Sequence, residues 1–454
     1  MNGIKLTSLS FKRQSTIIFE NLNFSFEANQ FSLLVGDSGC GKSTLFKLIA
    51  GFSDLTYSGQ ISIAPELYQN SKCKLVGFVF QNPNQQFTMR TLRREIIFAL
   101  ENLRYPADEI DSRLSEAVVQ IGTGDLLDRP LEQLSGGEKQ RAALTVLIAM
   151  DANVLLLDEP FASIDLKSRH QLIHLLAELR DRGKTIVVSD HDLVGYQDVI
   201  DHLITLEDGY LKEQPLNTLI TAPTSYSLTQ KMSSQVPFLE LKAVTIKNDS
   251  RVLIDATDTV LNRGITTLTG DNGSGKSTLL KAIVQRQKYQ GRMIFNGQKL
   301  RKTKRLYRKL TLAVQDAEKQ FVGLTPKDEF DFNQNISDMA RQKQDEAIKF
   351  LGLSDKLDYS LYHLSEGQKK MVQLISMLSL DLSFLLLDEP FTGLDERACQ
   401  YFVGWIQEKA EYQDFLIVSH RLAPLCQVSQ FHIELSGQKL VTEANDQVGG
   451  IDDI

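Results

Sequence analysis

Two ten-residue stretches, GDSGCGKSTL from Gly36 and GDNGSGKSTL from Gly270, set glycines, a lysine and a hydroxyl close together. Gly36, Gly39 and Gly41 let backbone amides curl around a phosphate, and a helix starting at the lysine adds its positive N-terminal end. In such a loop Lys42 reaches the β- and γ-phosphates and the Ser43 hydroxyl is offered to Mg2+; Gly270, Gly273, Gly275, Lys276 and Ser277 repeat the set. The remaining loop residues, Asp37, Ser38, Cys40 and Thr44 in the first copy and Asp271, Asn272, Ser274 and Thr278 in the second, are assigned with them to ATP. Farther on, VLLLDEP from Val154 and FLLLDEP from Phe384 are apolar runs that end in paired carboxylates. Their order divides the work: Asp158 and Asp388 face Mg2+, and Glu159 or Glu389 polarises a water for attack on the γ-phosphorus. Hydrolysis, beyond binding, is the chemistry these pairs imply.

These residues need a strand to deliver the glycine loop and a helix to receive it. The runs FSLLVG and TTLTG precede the loops, and KSTLFKLIAG and KSTLLKAIV follow them, which is the strand, loop, helix context of a working phosphate site. The loops recur at an offset of 234; LSGGEKQ from Leu134 returns as LSEGQKK from Leu364, and Val154 as Phe384, both at 230; His191 returns as His420 at 229. Landmarks that hold one offset so closely mean a duplicated domain. A chain of 454 residues is long enough for two such domains. We expect domains at 1–217 and 238–454, an exposed linker rich in Ser, Thr, Pro and Gln at 218–237, and a loose polar tail at 442–454.

With Lys+Arg 50 against Asp+Glu 57, the net charge of −7 is not the basic field of a nucleic-acid binder, and no nucleic-acid partner is expected. No run approaches the roughly 20 apolar residues of a membrane helix, and MNGIKLTSLSFKRQ lacks a signal peptide's apolar stretch, so a chain that neither spans nor leaves is expected. Cys40, Cys73, Cys399 and Cys426 are far apart with no CxxC, which suits a reducing cytoplasm. His170 and His174 have i, i+4 spacing but read as an ordinary pair on a half-solvated helix. The basic stretch RKTKRLYRK from Arg301 reads as a solvated lobe, with lipid headgroups or nucleic acid as the functional alternatives.

LSGGEKQ and LSEGQKK, each followed by an apolar helical run and then the carboxylate strand, resemble the signature motif of ABC ATPases. The resemblance covers nearly the whole chain. It implies an α/β fold of two tandem ABC-type P-loop domains, each with a mostly parallel sheet, an antiparallel β lobe and a helical subdomain carrying the signature. It also implies that Gln81 and Gln315 are Q-loop residues touching Mg2+, Asp165 and Asp395 D-loop residues, and His191 and His420 switch histidines that act in catalysis with Glu159 and Glu389. Domains of this family pack head to tail. One ATP would lie between Lys42 and the Ser365, Gly367 and Gln368 stretch, the other between Lys276 and Ser135, Gly136 and Gly137.

Departures from the family pattern point to unequal sites. Glu366 replaces a signature glycine, setting a carboxylate near a γ-phosphate; Glu138 stands where glutamine is usual; Phe11 is placed to stack on adenine, with no aromatic at Thr245 or Ile246. Both sites are expected to hydrolyse, at different rates. Cys40, opposite Ser274, is read as a small-residue fit rather than a redox switch.

After Gln81, QNPNQQFTMRTLRREIIFALENL resembles the corresponding region of energy-coupling factor importer ATPases. That resemblance implies a motor at the cytoplasmic face of the membrane, gripping a coupling transmembrane protein and a substrate-binding membrane protein for a vitamin, a vitamin precursor such as that of thiamine, or a metal ion. The alternatives are a soluble tandem ABC ATPase acting on ribosomes or DNA, for which a long charged linker or a basic face is expected, and a fused sugar-importer ATPase.

Overall fold

Each half of the chain opens with two long strands and then a short buried one that ends at a glycine loop. The computed structural model describes every residue except 1, 14–15, 38, 53, 65–75, 82–85, 135, 162–163, 165, 192, 219–235, 249–250, 333–335 and 443–454. The expectations for Ser38, Cys73, Ser135 and Asp165, and for most of the linker and tail, lie outside the described residues. The chain divides into two compact units, Met1–Ala222 and Pro223–Ile454.

In unit 1, β1 (Asn2–Arg13) pairs antiparallel with β2 (Thr16–Glu27) and β4 (Ser58–Ile63), forming a three-stranded lobe. A second sheet has the order β5 (Val76–Val79), β6 (Val154–Asp158), β7 (Thr185–Ser189), β3 (Phe31–Val35), β8 (His202–Glu207), β9 (Tyr210–Gln214). Its first five strands run parallel and β9 closes the edge antiparallel. VLLLD and TIVVS are buried at every position, as strands covered on both faces must be. Helix α1 (Lys42–Ile49) follows the glycine loop, and α5 (Leu166–Asp181) follows the carboxylate strand. Between β5 and β6 lies a helical layer, α2 (Leu92–Asn102), α3 (Ala107–Ile121) and α4 (Gly136–Ala149), with its own core around Leu92, Ile96, Leu114 and Ala142.

Unit 2 repeats this plan. Strands β10 (Pro237–Asn248), β11 (Arg251–Asn262), β13 (Gln290–Phe295) and β14 (Gln298–Lys299) form the antiparallel lobe, in the order β11-β10-β13-β14. The main sheet runs β15 (Leu310–Ala313), β16 (Phe384–Asp388), β17 (Asp414–Val418), β12 (Ile265–Thr269), β18 (Phe431–Ser436), β19 (Lys439–Val441). Helices α6 (Lys276–Ile283) and α10 (Glu396–Lys409) correspond to α1 and α5, and α7 (Pro326–Asp331), α8 (Asp338–Phe350) and α9 (Glu366–Leu378) form the helical layer. The register shifts repeat as well: those at Leu6/Leu9 and Leu9/Phe11 in β1 recur at Leu241/Val244 and Val244/Ile246 in β10. Each unit is thus an α/β fold of parallel sheet, antiparallel lobe and helical layer.

One acid ties the helical layer to its entry loop in both units. Glu95 accepts the Thr88 and Met89 amides at 3.0 and 2.6 Å, and Glu329 accepts those of Val322 and Gly323, both at 2.9 Å. Both glutamates are buried, and charge-assisted bonds of this kind hold a chain reversal at the layer's edge. Among the described residues no helix is long and apolar enough to cross a membrane.

Candidate active sites

The glycine loops end at Gly41 and Gly275, which precede α1 and α6 with φ of 114° and 115°. Two residues earlier, Gly39 and Gly273 also lie in the left-handed region, with φ of 86° and 74°, so the sharp curl expected of each loop is present at both positions. A Cβ at Gly41 would also meet Ile18 at 2.7 Å, so glycine is required there twice over. The lysine that begins each helix turns back into its own loop. Lys42 Nζ donates to the Gly36 and Asp37 carbonyls at 2.7 and 3.2 Å, and Lys276 Nζ to those of Gly270 and Asp271 at 2.5 and 2.9 Å. Both ammonium groups are therefore held over the concavity that a phosphate would fill.

The carboxylate strands end beside these loops. Asp158 and Asp388 are the last residues of β6 and β16, and Glu159 and Glu389 follow with φ of 45° and 50°. A left-handed glutamate is uncommon, and its recurrence in both units marks a backbone turn held in place to aim the side chain. In both turns a neighbouring strand accepts the glutamate amide: Ser189 O at 3.0 Å for Glu159 and Val418 O at 2.9 Å for Glu389.

In unit 1 the candidate catalytic residues form one connected set. Glu159 Oε1 lies 2.8 Å from His191 Nε2, Glu159 Oε2 accepts from Gln81 Nε2 at 2.7 Å, and His191 Nε2 is 3.4 Å from Lys42 Nζ. Burial alone would raise the Glu159 carboxyl, but the imidazole, the ammonium and the amide together hold it below the usual carboxylate range. Ser189 donates to Asp158 Oδ1 at 2.7 Å and its Oγ also accepts from the Glu159 amide at 3.1 Å. Burial and the adjacent Glu159 raise the Asp158 carboxyl against the pull of the Ser43 and Ser189 hydroxyls.

Unit 2 holds the same residues more loosely. Glu389 Oε2 accepts from the His420 backbone amide at 3.1 Å, whereas His420 Nε2 is 3.6 Å from Oε1, beyond hydrogen-bond distance, and lies 2.9 Å from Asn272 Oδ1. Glu389 Oε1 is buried with no hydrogen-bond partner among the described residues. Burial pushes this carboxyl up to about 8, with the neighbouring Asp388 adding to the rise. Val418 occupies the register position of Ser189, so no hydroxyl reaches the carboxylate pair from β17. Ser277 Oγ donates to Asp388 Oδ1 at 3.1 Å, as the Ser43 hydroxyl does to Asp158 in unit 1.

The oxygen donors of Ser43, Gln81 and Asp158, and of Ser277, Gln315 and Asp388, are the hard set that Mg2+ takes. The Ser277–Asp388 pair and the orphaned Glu389 Oε1 fit a divalent cation with its waters between them.

The signature stretches begin helices. Ser365 caps α9 through a reciprocal box with Gln368: its Oγ accepts the Gln368 amide at 3.2 Å and its own amide donates to Gln368 Oε1 at 3.1 Å. Gly367 lies in the first turn, while Gly136 and Gly137 open α4. Amides at a helix N-terminus are suited to anions.

Several expectations change. Phe11 is only 5 % exposed and packs in the lobe core opposite Phe19, as its counterpart Ile246 packs opposite Ile254. The period of the strand and its register shift turn Phe11 inward, so it is not an adenine platform; replacing it with Ala would remove about 3–5 kcal/mol of packing. Glu366 is not an isolated charge either, since Lys369 holds its Oε1 at 3.1 Å and Glu318 Oε1 at 2.5 Å. Glu138 is held by Arg129 at 2.7 Å. Burial raises the Cys40 thiol, and its Sγ sits where a Cβ on Gly36 would come within 2.9 Å, which supports a packing role.

Sequence reasoning missed a set of side chains that join α9 to the Gln315 loop. Lys370 Nζ donates to Gln315 O at 2.6 Å and to Gln373 Oε1 at 3.1 Å; Gln373 Nε2 donates to Val314 O at 2.8 Å and Gln320 Oε1 at 2.7 Å. In unit 1 their sequence counterparts are Gln140, whose Oε1 has no partner among the described residues, and Ala143. The substitution pattern at these two positions was the available signal.

Comparison with known proteins places these features in a family. The ABC transporter family pattern matches residues 19–162 and 255–392, once in each unit. The chain is 29% identical over 474 aligned residues to the "Putative HMP/thiamine import ATP-binding protein YkoD" of Bacillus subtilis, covering 92% of this chain and 86% of that one. It is 32% identical over 419 residues to a "Putative ABC transporter ATP-binding protein" of Sulfurisphaera tokodaii, covering 86% of each. Among solved structures, the complex of archaeal ribosomal stalk protein aP1 and archaeal ribosome recycling factor aABCE1 matches with a TM-score of 0.63 and 19% identity, over 94% of this chain and 87% of that chain. At that identity the likeness concerns the fold alone. Family matches that fall in both units, and relatives aligned along most of their length, establish that the chain belongs to the ABC transporter family and is a tandem ABC ATPase.

Proposed function

We propose that the chain is the ATP-hydrolysing motor of an importer of energy-coupling factor type, driving uptake of a vitamin, vitamin precursor or metal ion through integral membrane partners. The observation that carries this reading is the alignment, over 92% of the chain, with a relative whose name assigns it to HMP/thiamine import. The stretch after Gln81 supports it. The shared fold with a ribosome recycling factor does not favour the soluble alternative, because fold alone does not carry function. The domains are assigned to 1–217 and 238–454, and the chain to the cytoplasmic face of the membrane.

In this reading the two units bind two ATP molecules head to tail, Lys42 acting with Ser365 and Gly367 and Lys276 with Ser135 and Gly137. Ser43, Gln81 and Asp158, and Ser277, Gln315 and Asp388, would hold Mg2+, which neutralises charge on the β- and γ-phosphates. Lys42 and Lys276 exchange their loop carbonyls for phosphate oxygens, and the amides of the loops through Gly39 and Gly273 close around the β-phosphate. Glu159 and Glu389 take the proton of the attacking water; the His191 imidazole orients the Glu159 carboxylate, the His420 backbone amide holds that of Glu389, and both imidazoles act on the γ-phosphate. Signature amides that bind a γ-phosphate favour the closed pair with ATP and release it with ADP, a population shift able to move a partner.

The test is purification of the tagged chain from gently solubilised membranes of its native cell, with ATP turnover measured on the product. Two small integral membrane proteins in the complex are expected. Recovery with ribosomes or DNA, and no membrane protein, overturns the importer reading and leaves the ATPase intact.

A further inference from the structure

From Val284 to Lys309 the chain carries ten Lys and Arg residues and no Asp or Glu, leaving 40 basic against 57 acidic residues elsewhere. All ten are exposed, and none has an acidic partner among the described residues. They sit on a folded surface. Leu300 and Leu306 are buried in the unit 2 core, the Leu300 amide donates to Met293 O at 2.9 Å, and Tyr307 Oη donates to Val284 O at 3.1 Å. The last of these bonds draws Arg286 and Lys288 toward the run from Arg301 to Lys309.

The fold does not require this charge. The corresponding stretch of unit 1, residues 50–75, has two acids and two lysines. Nor does the candidate active site use it, because Lys309 precedes the first residue of β15 while Asp388 ends the parallel neighbour β16, at the opposite end of the sheet. Unpaired like charges concentrated in one exposed stretch repel one another and are relieved by a polyanionic surface.

We propose that this face docks unit 2 on an anionic lipid surface. Two features favour lipid phosphates over nucleic acid. Tyr289 and Tyr307, the tyrosines of the stretch, are half-buried with hydroxyls already engaged, so no exposed ring is available for base stacking. The acidity of the remaining chain repels an extended polyanion that wraps beyond the patch, whereas a membrane plane needs to meet one face only. Docking requires no partner subunit, so it stands or falls separately from the importer reading.

Co-sedimentation of the full chain with phosphatidylcholine vesicles containing about one-third phosphatidylglycerol tests the proposal, with phosphatidylcholine alone and a structured RNA as the other arms. Binding to the anionic vesicles, weakening as salt is raised, is expected. Arg301→Gln, Lys302→Gln, Lys304→Gln and Arg305→Gln together should lower the partition coefficient about a hundredfold or more, and Arg286→Gln with Lys288→Gln about tenfold, with ATP turnover unchanged. The proposal is overturned if the anionic vesicles do not bind the chain, if both variants bind as tightly as the native chain, or if RNA is bound and vesicles are not.

Discussion

The two catalytic corners differ in how their glutamates are held. Glu159 is gripped by a histidine and a glutamine and sits beside a serine that also holds Asp158; Glu389 has one backbone amide and an orphaned oxygen. The same duplicated motif therefore yields an ionised, oriented carboxylate in unit 1 and an elevated one in unit 2. The helical layers differ too: Lys370 and Gln373 fasten α9 to the Gln315 loop, while Gln140 and Ala143 stand at those positions in unit 1. Duplication preserved the backbone and let the contacts diverge.

The histidines offer the largest way to break this comparison. His191→Ala removes a contact of 2.8 Å and should lower ATP turnover about a hundredfold or more, while His420→Ala, starting from 3.6 Å, should lower it about tenfold. Equal losses in steady-state assays would mean that the corners converge during turnover. A smaller effect comes from exchanging the strand residues. Ser189→Val should slow turnover about fivefold by removing one of the two hydroxyls, Ser189 and Ser43, that reach Asp158, and Val418→Ser should recover part of that difference in unit 2.

The helical latch is read by hydrogen exchange. Lys370→Met should speed amide exchange in the segment from Val314 to Gln320 about tenfold, with Lys370→Arg restoring much of the protection. A uniform rise across unit 2 would indicate general destabilisation. The smallest effect is a pH dependence confined to unit 2. Burial pushes the Lys409 ammonium, which donates to the Leu378 and Leu380 carbonyls at 2.7 and 2.8 Å, down to about 8. Between that value and the ordinary lysine range the folded chain binds fewer protons than the unfolded one, so this group's contribution to stability rises with pH there. The difference in unfolding midpoint between the native chain and Lys409→Met should grow in favour of the native chain above pH 8 and stay flat below it.

Much of this was legible in the residues. The glycine loops, the carboxylate pairs and the repeated offsets mark elements whose chemistry constrains spacing, and the runs VLLL and FLLL before the carboxylate pairs are apolar without interruption. Phe11 was not legible, because its direction depends on a register shift that β1 makes against β2. The neutralisation of Glu366 was half legible: Lys369 lies three residues on along the helix, but Glu318 arrives from the Gln315 loop. The Ser189 and Val418 difference stood in the sequence, two residues before each histidine, yet its meaning requires the parallel register that sets those residues opposite Asp158 and Asp388.

Turnover of Glu159→Gln and Glu389→Gln, measured side by side on the full chain, tests most directly that the two hydrolytic corners are inequivalent. The account predicts that both substitutions reduce ATP hydrolysis and that Glu159→Gln costs about tenfold more than Glu389→Gln. Equal losses would contradict it.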